Sequence, residues 1–228
     1  MDPLTPLLED AELAARLLNA SKAIGAVHRR PVNLRRAEVT GSESVLRGAI
    51  TTARMWGIDQ VQSIDAYAML APSAAEATAR TFQRAPSQIL ARLDVVFGGP
   101  GVPRDPARLA TLAQLIVNRN VHPGLLVGVV HAELAARNMF GERSGPIAWT
   151  AARLAARLSW DPRGLCVPEP YWFRHRHDYN AALSAYPQHP NEFLRMHARA
   201  WIAGAEEANG IALAASPSKS GEANDGQH

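Results

Sequence analysis

The segment His131-Ala132-Glu133 sets an imidazole two residues ahead of a carboxylate, the pattern in which the glutamate of a zinc deaminase moves protons beside a metal-bound water. The paired cysteines that complete such a centre are missing, because Cys166 is the sole cysteine of the chain. His175, His177 and Asp178 form a second group of ligand types. On a helix, residues two apart face different sides, and helical histidine pairs that share a metal stand three or four apart. A solvated basic face is therefore expected there. Cys166, between Leu165 and Val167, reads as a small buried hydrophobe rather than a nucleophile, which would need a histidine or a helix N-terminus to lower its pKa. Arg143-Ser144-Gly145-Pro146 offers anion binding: backbone N–H groups at a helix start lack partners and attract negative charge, and Arg143 adds a guanidinium. The competing expectation is structural, with Ser144 capping a helix that Pro146 begins. His131, on an apolar stretch, is expected as a hydrogen-bonded core histidine, and the five tryptophans as core or boundary packing.

The elements that must hold these groups are helices. Apolar residues recur at helical spacing in nearly every segment, whereas two-residue alternation of β-branched residues is almost absent, so the fold class is all-α. The pattern predicts helices over Leu7 to Ala26, Ser42 to Trp56 with Ser42 as N-cap, and two shorter segments separated by Pro72 and Pro86, the second ending at Phe97. The run from Gly98 to Pro103 breaks the chain into a loop; it is no dinucleotide fingerprint, since Arg104 takes the last glycine position and no strand precedes it. Asp105 then caps a helix to Asn118, with Pro106 in the first position. Pro123 to Met139 is the most apolar helix, and a polar turn from Phe140 to Gly145 leads into Pro146 to Trp160. Helices at about Glu169 to Tyr186 and Asn191 to Ala208 follow, and the Ser- and Gly-rich stretch from Ser216 to His228 is expected to be a disordered tail.

A chain of 228 residues with 47% hydrophobic and 20% charged residues is long and apolar enough for one buried core. The formal charge of +3 does not build the phosphate-tracking stripe of a nucleic-acid binder. A lone cysteine fits a reducing, cytoplasmic setting, the N-terminus lacks a basic export region, and the stretch Gly124 to Ala136, interrupted by His131 and Glu133, is too short to span a bilayer.

Read from His131 to Pro146, the string HAELAARNMFGERSGP resembles the segment of the Fic (Fido) family in which a helix histidine precedes, by seven residues, the motif HPFxxGNGRxxR. With Phe140 in register, Asn138 falls on the motif's catalytic histidine and Met139 on its proline, while Glu142 keeps the acidic position that binds magnesium in the family. Arg143 stands for a glycine, Ser144 for the asparagine, Gly145 is retained, Pro146 replaces the phosphate-binding arginine and Trp149 the final arginine. The flanks are also similar: Ala85-Pro86-Ser87-Gln88-Ile89-Leu90-Ala91-Arg92-Leu93 upstream, then Gly164-Leu165-Cys166-Val167-Pro168 and Tyr179-Asn180-Ala181-Ala182-Leu183 downstream. The resemblance spans roughly Ser73 to Ala208 and is nearest to divergent bacterial members without the standard motif.

It implies a Fido-type helical bundle around a central helix-turn-helix, a core over 73–215 with the helices of 1–72 packed on it. It also implies ATP and magnesium as ligands, held by Phe140, Arg143, Ser144, Gly145 and Glu142. In the family the motif histidine takes the proton of a target hydroxyl, which attacks the α-phosphate of ATP and leaves AMP on a protein. An asparagine amide accepts no proton near neutral pH, and such base assistance is worth about 10² to 10⁴ in rate. Pro146 supplies neither a guanidinium nor an N–H for phosphate. The resemblance thus implies a degenerate member that lacks standard AMP transfer, binds a nucleotide or anion weakly or not at all, and acts through protein partners. Two alternatives stay open: an active AMP transferase in which His131 is a displaced base and Glu142 holds magnesium, and a purely structural or regulatory interaction protein. Ser44-Val45-Leu46-Arg47-Gly48 is faintly similar to the family's inhibitory helix, with Arg47 at the glutamate position.

Overall fold

Proline and short acceptor side chains decide where the helices begin. In the computed structural model, which describes residues 2–118 and 120–216, helix α1 (Ala11–His28) follows a 3-10 turn over Thr5–Glu9 and starts where the Asp10 carboxylate accepts the Leu13 N–H at 3.0 Å. Helices α2 (Pro31–Arg35), α5 (Pro72–Arg84), α6 (Pro86–Val96), α7 (Pro106–Val117), α8 (Pro123–Ala136) and α12 (Pro190–Ala214) each open on a proline, whose missing N–H would have no intrahelical partner there anyway. Asp59 caps α4 (Gln60–Tyr67) and Asp105 caps α7. Helices α3 (Ala37–Trp56), α9 (Ser144–Ser159), α10 (Glu169–Arg174) and α11 (Arg176–Ala185) complete an all-helical chain, with no strand among the described residues.

The antiparallel pair α8 and α9 is the centre. Every residue of α8 from Gly124 to Ala132 is buried, and so is every residue of α9 from Ser144 to Ala156, so over these spans neighbouring structure covers all faces of both helices. Helix α12 packs on α1, α8, α10 and α11, while α3, α5 and α6 lie against α9. The N-terminal helices thus join the same core: Leu13, Leu17, Ile24 and Val45 belong to one cluster with Trp149, Trp172 and Trp201.

Several boundaries differ from the sequence expectation, each for a local reason. Ser42 lies inside α3 and caps nothing, because Arg36 ends α2 and the next helix starts at once. The segment expected as one helix over 169–186 is broken at His175, whose ring Nδ1 and backbone N–H both meet the Tyr171 carbonyl, at 2.9 and 3.0 Å. Helix α9 begins at Ser144, two residues before Pro146. Of the tail expected over 216–228, residues 217–228 lie outside the described residues. No helix among the described residues is long and apolar enough to cross a membrane.

Candidate functional site

The turn between α8 and α9 is shaped by two left-handed residues, Asn138 with φ 49° and Gly141 with φ 65°. Asparagine enters that conformation more readily than most side chains, so residue 138 has a backbone task at the corner. Its carbonyl accepts the Gly141 N–H at 3.0 Å, and its side chain is exposed. Met139 and Phe140 turn inward and are buried, and the Met139 carbonyl accepts the Arg104 N–H at 2.8 Å, which fastens the turn to the loop ahead of α7. Glu142 is exposed beside them.

The start of α9 is filled by protein. The Ser144 hydroxyl accepts the Phe140 N–H at 2.8 Å, reaching back into the turn rather than forward onto the helix as a capping serine does. Gly145 lies under the Trp56 indole, so close that an added Cβ would collide with its ring. Trp56 in turn meets the buried Trp149 edge-on at 6.0 Å, which ties the indole over Gly145 to the core. Arg143 is turned away and spent: its Nε donates to Asp94 Oδ1 at 2.7 Å, while Asp94 Oδ2 accepts the Gly101 N–H at 2.8 Å. Asp94 is fully buried, so the pair clamps the glycine-rich loop 98–101 to the turn. The turn lines none of the described cavities. The largest of these, about 630 Å³, lies between α7 and α8, where Arg108 and Glu133 pair at 2.7 Å.

His131 faces the opposite way, into the core. Its Nε2 shares a 2.8 Å hydrogen bond with the Tyr179 hydroxyl, which also accepts the Trp149 indole N–H at 2.9 Å. Trp149 can only donate, so the Tyr179 proton is free to go to His131 Nε2 of a neutral imidazole. Burial, then the neighbouring His197, holds the His131 pKa well below its ordinary value. Rings of Trp172, Phe193 and His197 surround it at 4.6, 5.1 and 5.2 Å between centroids. The structure therefore does not bring His131 together with Asn138 and Glu142, from which it is separated by the body of the helix end.

The other candidates resolve simply. His177 is exposed, and its Nδ1 lies 3.6 Å from the adjacent Asp178. Cys166 is buried, and that burial together with Asp161 raises its thiol well above the ordinary range. No group of three or more histidine, cysteine, aspartate or glutamate side chains that could hold a metal ion occurs among the described residues. Arg47 pairs with Glu43 at 3.0 Å and Glu207 at 3.4 Å on the surface.

A buried polar network that no motif of the sequence announces is centred on Arg153. Arg153, on α9, donates to both Glu169 oxygens at 3.0 and 3.1 Å, to the Ser44 hydroxyl at 2.8 Å and to the Gly164 carbonyl at 3.1 Å. The Tyr67 hydroxyl donates to Glu169 at 3.0 Å. Asp161 accepts the Leu165 and Cys166 N–H groups and meets His28 Nε2 at 2.6 Å; burial alone would raise its carboxyl, but these partners hold it below the ordinary value. An arginine amid the alanines and leucines of α9 and a glutamate just after Pro168 were the available signals. Gly164 lies eleven residues beyond Arg153, and the other partners are farther still. No family model matches the chain, nor does any curated protein or solved structure.

Proposed function

We propose that this chain is a Fido-like helical protein that does not carry out standard AMP transfer and acts through protein partners, with weak nucleotide or anion binding at the α8–α9 turn at most. The observation that carries this reading is that no imidazole faces the turn: residue 138 is an exposed asparagine in a left-handed corner, and His131 is enclosed by aromatic rings with its Nε2 committed to Tyr179. Proton abstraction needs the base within hydrogen-bond reach of the nucleophile. The Trp56 indole over Gly145 and the Arg143–Asp94 pair add to it, because both occupy groups that a polyphosphate would have to claim.

Incubating the protein with magnesium, a cell lysate and ATP labelled on the α-phosphate tests the reading. No protein label above a protein-free control is expected. Transfer of label that disappears in Glu142→Ala would overturn the proposal in favour of an active transferase.

A further inference from the structure

Arg153 and Arg157 stand four residues apart on α9, and the chain treats them oppositely. Arg153 is given a buried carboxylate, a hydroxyl and a carbonyl. Arg157 is half-buried, yet its guanidinium forms neither an ion pair nor a hydrogen bond with any of the described residues. Burial accordingly pulls its guanidinium below the ordinary value, opposed by Asp161 and Glu76 at a distance. Both carboxylates are engaged elsewhere, Asp161 with His28 and the 165–166 backbone, and Glu76 with Arg80 at 2.6 Å.

The guanidinium is held by design of the backbone beneath it. Gly164 has φ 63°, and a Cβ built there would lie 2.6 Å from Arg157 Nη1 and 3.0 Å from its Cδ, so the arginine rests on bare main chain. In front of it a cavity of about 420 Å³ opens between α5 and α9. Arg157, Arg80 and Gln83 supply donors to it; Ala79, Leu158 and Pro72 supply apolar wall. This position is thirteen residues beyond the start of α9, roughly 20 Å along the helix axis from the α8–α9 turn. The site is therefore independent of any chemistry at that turn.

We propose that this cavity binds a small organic carboxylate, its two oxygens taken by the planar fork of Arg157 and its carbon chain laid against Leu158 and Ala79. A fork of parallel donors matches a carboxylate in two hydrogen bonds, and an unpaired, partly desolvated guanidinium is the group that gains most from one. The charge of the lining selects the ligand: Arg157 and Arg80 against Glu76 leave a single positive charge, which suits a monoanion, whereas a phosphate dianion would face the Glu76 carboxylate.

Titrating the full chain with sodium butyrate, with inorganic phosphate and with sodium chloride at equal ionic strength, while following backbone amide shifts at 164–165 by NMR, tests this. Butyrate is expected to give saturable shifts that chloride does not, with affinity falling about tenfold or more in Arg157→Gln, the loss of one charge-assisted contact. Gln83→Ala, on the opposite wall, is expected to weaken butyrate in the same direction and serves if Arg157→Gln does not fold. Shifts with butyrate no larger than with chloride, equal affinity in the variants, or tighter binding of phosphate than of butyrate would each overturn the assignment.

Discussion

His131 and His197 are neutral imidazoles inside an aromatic box, and their burial has a sign. Burial lowers both below the ordinary 6.5, His197 to about 3. Below pH 6.5 the unfolded chain therefore takes up protons that the folded chain refuses, so stability is intact above that pH and erodes as pH falls toward the folded values. The slope is about 1.4 kcal/mol per pH unit for each histidine. Burial lowers the half-buried His122 as well, so urea denaturation between about pH 7 and about pH 5 should show a loss to which all three histidines contribute, and His197→Phe should reduce the slope by about one proton. The core position of His131 was legible from its apolar helix. That of His197 could have been read from Phe193, His197 and Trp201, which share one helix face at four-residue spacing. What no local pattern could supply is Tyr179, forty-eight residues away, which engages His131 and so takes it out of reach of the turn.

Among the elements, starts were more legible than roles. Asp105 with Pro106, and the prolines at 86 and 123, announce their helices because sterics and capping act within a few residues. Ser144 did not follow its local signal: the hydroxyl binds the turn behind it, because α8 and α9 are drawn together tightly enough to bring the Phe140 N–H within reach. The same closeness explains Gly145. Gly145→Ala is expected to cost about 1 to 3 kcal/mol by forcing Trp56 from its seat. In a Trp56→Ala background the cost should largely vanish, a non-additivity that a double-mutant cycle by chemical denaturation would read. Equal costs in both backgrounds would mean that the indole does not define the fit. The break at His175 was illegible for a related reason, since it depends on a ring returning to its own helix carbonyl rather than on proline or glycine.

At the scale of the molecule, the sequence conveyed an all-helical fold but not what ties its ends together. Arg153 and Glu169 join α3, α9, α10 and the loop between them, and breaking the pair leaves an uncompensated charge in the core. Arg153→Met should lower stability by about 3 to 5 kcal/mol, whereas Arg153→Met combined with Glu169→Met should recover much of it; denaturant midpoints decide between this and a pair that contributes nothing. The segment clasped by that pair and by Asp161 carries Cys166, with its thiol entirely covered. A chain with one sulfhydryl so enclosed comes with its own clock. Alkylating reagents added to the native protein can react only during excursions that lift the 161–168 strap, so the modification rate, followed by mass, times how often the centre of this molecule opens.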